Sequence, residues 1–83
     1  MSAEAKALAE FIQSEIVIGD IVVDADTDLL LTGAVDSLGV IRITHWMEEQ
    51  TGIAVDPGDV TIENFQTVGK MMAYLDRQTV ARK

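Results

Sequence analysis

The sequence predicts an all-α fold: a small bundle of three main helices, with one short helix before the last and a long first loop. Three observations carry this expectation. Apolar residues recur every three to four positions in three separate segments, which is the period of a helix with one buried face. The β-branched run Ile21 to Val23 has no second strand to pair with. The 83 residues include no cysteine, so packing must hold the chain together without disulfides, and small domains of that kind are usually helical bundles.

The first helix is expected from Ser2 to Val17. Ala5, Leu8, Phe11, Ile12 and Ile16 share one face, with Glu4, Lys6, Glu10, Gln13 and Glu15 between them, and Gly19 supplies the stop. A connection follows from Gly19 to Val35. A loop of this length is uncommon unless it is functional. Its leucines, Leu29, Leu30 and Leu31, are expected to tuck under the helices, and Thr27 or Asp28 to cap a short turn. The second helix should start at Asp36 or Ser37 and run to about Gln50, with Asp36 as a favoured N-cap and Gly52 as the stop. After a loop containing Pro57, Thr61 to Phe65 reads as one helical turn capped by Thr61. The last helix runs from about Thr67 to Gln78, with Thr67 as its cap and Val68, Met71, Met72 and Leu75 as its apolar stripe. Ala81, Arg82 and Lys83 are expected to fray.

This organisation suits one domain, residues 1–83. Fourteen acidic and six basic residues give a net charge of −8. Such a surface repels phosphate backbones, so nucleic acid is not expected as a partner, whereas basic protein patches would be attracted. The acidity is also what keeps many small domains in solution. Hydrophobic residues make up 48% of the chain, enough to fold. The N-terminal segment lacks the apolar run of a signal peptide, and no stretch is long enough to span a membrane. A monomeric cytoplasmic protein with no membrane association is the expectation.

The stretch that points to function is Gly33-Ala34-Val35-Asp36-Ser37-Leu38. Ser37 falls in the first turn of a helix that follows a long loop. Free N–H groups and the helix dipole favour an anion there. Asp-Ser-Leu alone is weak, because serine and aspartate are common at helix starts for capping alone. The wider pattern is more specific. The chain resembles the acyl and peptidyl carrier protein family over nearly its full length: Asp28-Leu29-Leu30, Asp36-Ser37-Leu38, Glu48-Glu49, Gly52-Ile53, Thr61-Ile62-Glu63-Asn64-Phe65 and Thr67-Val68. The resemblance implies an acyl-carrier-like bundle. It also implies that a phosphopantetheinyl transferase moves 4′-phosphopantetheine from coenzyme A onto Ser37, flanked by Asp36 and Leu38. The arm's thiol would then hold acyl or aminoacyl groups as thioesters, which accords with a chain that has no cysteine of its own. Further partners implied are a loading ligase for the acyl or aminoacyl group and downstream transferases.

Sorted at 100° per residue, the second helix places Val40, Ile43 and Met47 on a core side, with Thr44 and Trp46 at its edges. Leu38, Ile41, Arg42, His45 and Glu49 fall on the other side. Apolar residues among polar ones beside Ser37 mark a partner surface, or else they are covered by the long loop. With the acidic end at Glu48 and Glu49, the candidate partner-binding set is Leu38, Ile41, Arg42, His45, Glu48 and Glu49. Compared with fatty-acid-synthesis carriers, Gly39 and Arg42 stand where acids are typical, and Trp46 where a small residue is usual. Arg42 would oppose a basic docking patch. The chain is therefore more similar to discrete carriers of specialised pathways, paired with adenylating ligases. A fatty-acid-synthesis carrier, a non-covalent helical adaptor and a regulatory subunit stay open as alternatives.

Asp24, Asp26 and Asp28 begin like an EF-hand, but Leu29 and Val35 occupy the positions that need Gly and Glu. His45 has no cysteine or second histidine with which to bind a transition metal. It lies eight residues after Ser37, roughly 12 Å along a helix, too far to act as its base. No metal site and no catalytic activity are expected.

Overall fold

The computed structural model describes residues 2–81 and side chains 2–80; Arg82 and Lys83, expected to fray, lie outside them. Four α-helices occur in the order α1 (Ala3–Phe11), α2 (Ser37–Thr51), α3 (Ile62–Phe65) and α4 (Val68–Ala81), with no strand among the described residues. The Cα radius of gyration is 11.8 Å, as expected for a compact chain of this length, about 12 Å.

Local chemistry sets the helix ends. The Ser2 hydroxyl accepts the Ala5 N–H, and Asp36 Oδ1 accepts the Gly39 N–H at 2.8 Å. Gly52 ends α2 at a φ of 71°, a left-handed conformation that costs other residues strain. Thr67 Oγ1 accepts the Lys70 N–H at the start of α4. Thr61 precedes α3 in an extended conformation, but contrary to expectation its side chain makes no capping bond. Ala81 is the last residue of α4. The loop with Pro57 contains a 3₁₀ turn, Pro57–Asp59, which the sequence pattern did not reveal.

The first helix is not uniform. It continues as a π-helical stretch, Ile12–Ile16, in which the Val17 N–H reaches back to the Ile12 carbonyl. The widened turn brings Gln13 beside the first loop. Its amide donates to the Ile21 carbonyl, and its carbonyl accepts the Val23 N–H at 2.6 Å. One side chain thus takes the place of the partner strand that Ile21 to Val23 lacks.

Leu8, Ile12, Leu29, Ile43, Met47, Phe65, Val68 and Met71 are fully buried in one core. Burying a side chain of this kind contributes roughly 1.5–3 kcal/mol. Three expectations about apolar residues need correction. Tyr74, outside the expected stripe, is buried because Asp59 receives its hydroxyl at 2.9 Å; Met72 is only half-buried. Leu31 is exposed, because Asp28 Oδ1 accepts the N–H groups of both Leu30 and Leu31 and turns the chain outward there. Trp46 stacks on Phe11 with ring centroids 5.4 Å apart, so its bulk serves the contact between α1 and α2. No described helix is long and apolar enough to cross a membrane.

Candidate functional site

Ser37 is delivered to the surface by a loop pinned at many points. The Leu29 N–H donates to the Gln66 carbonyl, Val35 N–H to the Leu29 carbonyl, and Ile18 N–H to the Ala34 carbonyl, all between 2.8 and 2.9 Å. The Gln66 amide donates to Asp28 Oδ2, and the Lys70 ammonium to Gln66 Oε1. Burial pushes the Asp28 carboxyl up. The N–H groups of Leu31 and Leu30, the Gln66 amide and the Lys70 charge outweigh it and hold the carboxyl below its ordinary value. Ala34 and Val35 are buried immediately before the exposed pair Asp36 and Ser37. The length of the loop therefore reflects a built support.

Ser37 is the first residue of α2 and is exposed. Asp36 already caps the helix, so Ser37 is not needed as a cap. The chain has three serines. The Ser2 hydroxyl accepts from Ala5, and the Ser14 hydroxyl donates to the Glu10 carbonyl. Among the described residues, Ser37 is the serine whose hydroxyl has no intramolecular partner. The first-turn N–H groups of Ser37 and Leu38 point to the open end of α2, where a phosphodiester would be stabilised. Beside Ser37 lies an open groove of about 350 Å³ whose apolar wall includes Leu30, Val40, Ile41, Ile62 and Phe65. The free hydroxyl, the free N–H groups and the adjoining groove together fit a phosphate-linked arm.

The outward side of α2 is as expected. Leu38 and Ile41 are 65% and 51% exposed, so the loop does not fold over them. Arg42, His45 and Glu49 are also exposed. Glu48 is set apart from this face: it is half-buried, and its Oε2 accepts the Val55 N–H at 2.8 Å. Arg42 is engaged too, with Nη1 donating to the Glu15 carbonyl at 2.9 Å. Sequence reasoning missed Val60 and Ile62, both exposed and both lining the groove. Their signal was faint, two apolar residues around Thr61 in a polar stretch.

The first loop's acids are accounted for internally. Asp24 Oδ1 accepts from the Asp26 N–H and the Thr27 hydroxyl, which hold its carboxyl below the ordinary value. No group of three or more His, Cys, Asp or Glu side chains fit to hold a metal occurs among the described residues. A larger hollow of about 860 Å³, bounded by the N-terminal turns of α1, the end of α2 and α4, includes neither Ser37 nor the outward face of α2.

A small helical bundle that presents an unengaged serine hydroxyl at the end of a braced loop suits a covalently attached group. Comparison with known families agrees: the model of the phosphopantetheine attachment site matches residues 6–75. A D-alanyl carrier protein of Abiotrophia defectiva is 38% identical over 58 residues, covering 70% of this chain and 73% of that protein. The chain belongs to the phosphopantetheine attachment-site family, and it is a carrier protein whose cofactor is covalently attached 4′-phosphopantetheine. Carriers of this family work with a phosphopantetheinyl transferase and with ligases or transferases that load and unload the arm.

Proposed function

We propose that Ser37 is the attachment residue and that the arm carries an aminoacyl group for a specialised biosynthetic pathway. The observation that carries this is the free Ser37 hydroxyl, which stands at the start of α2 while Asp36 does the capping. In the modification, Ser37 Oγ attacks the β-phosphorus of coenzyme A. The phosphorus–oxygen bond within the pyrophosphate breaks, adenosine 3′,5′-bisphosphate leaves, and the hydroxyl proton passes to a base of the transferase. The acidic partner to Ser37, Asp36, holds the helix start; Leu38 and Ile41 provide the apolar contacts for docking enzymes, with Arg42, His45 and Glu49 around them.

The similarity to a D-alanyl carrier protein supports an amino acid as cargo, activated as an adenylate by a ligase and passed to the arm's thiol. Gly39 and Arg42, where fatty-acid-synthesis carriers typically have acids, support the same reading. The protein acts as a monomeric, non-catalytic substrate of its partners in the cytoplasm, where coenzyme A and nucleotide-dependent ligases are found. Tethering raises the cargo's effective concentration at each docked active site.

The test is intact mass after incubation with coenzyme A and a broad-specificity phosphopantetheinyl transferase. One phosphopantetheine should be gained, and Ser37→Ala should abolish the gain. No gain with a competent transferase would sink the attachment reading. Efficient malonyl loading and elongation by fatty-acid-synthesis enzymes would sink the specialised-pathway reading.

A further inference from the structure

We propose that Gly39 and Arg42 are positioning residues for modification of Ser37, because together they lock the first two turns of α2 onto the π-helical end of the first helix. The inference rests on Ser37 being the attachment residue. Both side-chain positions are directed at consecutive residues of that helix end, Glu15 and Ile16.

Gly39 is buried two residues after Ser37. A Cβ built there would lie 2.8 Å from Ile16 Cγ2, 2.9 Å from Val35 Cγ1 and 3.3 Å from Asp36 Oδ1. Ordinary van der Waals contact begins near 3.4 Å, so restoring it against Ile16 needs a movement of about 0.6 Å (3.4 − 2.8). The two closest atoms belong to β-branched side chains, whose rotamers are stiff. Much of the movement must therefore come from the first turn of α2, which carries Ser37 and its Asp36 cap.

Arg42 completes the contact one turn further on. Glu15 lies in the last turn of the π-helical stretch, where carbonyls run out of intrahelical donors. The Arg42 guanidinium supplies one, and its charge suits the negative end of that helix. The two positions at which this chain departs from acidic carriers thus share an internal purpose. Absence of a side chain at 39 allows the close approach, and the guanidinium at 42 fastens it.

The experiment measures transferase kinetics with the full chain as varied substrate and coenzyme A saturating, for wild type, Gly39→Ala, Arg42→Gln and Arg42→Lys. Small misplacements of a reacting group are costly, up to about 10²-fold for 1 Å. Gly39→Ala should lower kcat by about tenfold, while KM stays within about twofold because Leu38 and Ile41 are untouched. Arg42→Gln should lower kcat in the same sense by severalfold, and Arg42→Lys, which can still donate to the Glu15 carbonyl, should recover most of it. Amide NMR shifts of Ser37 and Leu38 should move with kcat across the series. Helix propensity alone predicts the opposite for Gly39→Ala, a raised melting temperature with transfer unimpaired. If wild type is modified and both Gly39→Ala and Arg42→Gln keep kcat within about twofold, the positioning role is overturned. A change confined to KM would also overturn it, since that is the signature of docking. If Gly39→Ala fails to fold, the exposed Arg42 variants decide the matter. An unmodified wild type would instead refute the attachment reading.

Discussion

The hydroxyl of Tyr74 should govern how firmly α3, and with it one wall of the groove beside Ser37, is held to the bundle. Tyr74 is 1% exposed, and its Oη donates to Asp59 Oδ2 at 2.9 Å. Its ring lies 5.9 Å from that of Phe65, the buried residue of α3, and the Arg77 guanidinium sits 6.0 Å from the Tyr74 centroid while donating to Asn64 Oδ1. Tyr74→Phe deletes one hydrogen bond to a carboxylate, a class that contributes about 1.5–3 kcal/mol. Asp59 is only half-buried and can rehydrate, which favours the lower end, about 1.5 kcal/mol. At ~4–8 °C per kcal/mol for a domain of this size, the melting temperature should fall by roughly 6–12 °C. Urea denaturation of wild type, Tyr74→Phe, Asp59→Ala and the double variant should show a coupling near 1 kcal/mol. Burial and, after it, the Asp59 hydrogen bond raise the Tyr74 pKa above its ordinary value of 10.0. For a raised group the stabilisation is complete below the unfolded pKa and is lost as pH rises through the folded one. Wild type should therefore lose stability above about pH 10 more steeply than Tyr74→Phe. A Tyr74→Phe cost under ~0.3 kcal/mol, or strictly additive single variants, would refute the reasoning.

Two further expectations concern the approach to Ser37 and the face around it. The carboxyls of Asp28 and Asp24 are held below 3.8, so their contribution is present above about pH 4 and is lost as pH falls through the lower folded values. Asp28→Asn should melt below wild type at pH 6, with the gap narrowing as pH falls below about 4; a gap independent of pH would contradict the stated cause. Leu38→Ala and Ile41→Ala should leave stability within about 0.5 kcal/mol, because both side chains are exposed. Each should lower kcat/KM with the loading ligase by about tenfold, the equivalent of ~1.4 kcal/mol of apolar contact, and unchanged steady-state kinetics would remove them from the docking face.

The parts of this architecture that are local were legible in the sequence. The helices follow from the apolar period, and their ends from Ser2, Asp36, Gly52 and Thr67, because a cap is decided within four residues. The position of Ser37 was legible for the same reason. What escaped depends on contacts across the chain. The period cannot show that Gln13 will replace a strand for Ile21 and Val23, or that Tyr74 will bury a hydroxyl against Asp59, 15 residues earlier. Glu48 joined the candidate partner set with Glu49 as the acidic end of the second helix, yet a loop amide seven residues later drew it inward. Val60 and Ile62 join the groove only once α3 is docked against α4.

Gly39 shows how the same residues change meaning between the two levels. As a letter in the sequence it reads as a missing carboxylate, a change in surface charge that would alter which partners dock. In three dimensions it is buried, and no side chain could stand there without moving Ile16, Val35 or the Asp36 cap. Arg42 likewise reads as an added positive charge, but its guanidinium is fastened to the Glu15 carbonyl. A charge held in that way still contributes to the field at long range, where a net charge of −8 dominates and is screened beyond roughly 8 Å at physiological salt. At contact range the surface around Ser37 presents Leu38, Ile41, Val60 and Ile62, all exposed and all apolar. On the proposed function, partner choice by this carrier rests on the shape of that apolar surround and on the seat of the serine. Both are set by how the end of the first helix packs against the start of α2.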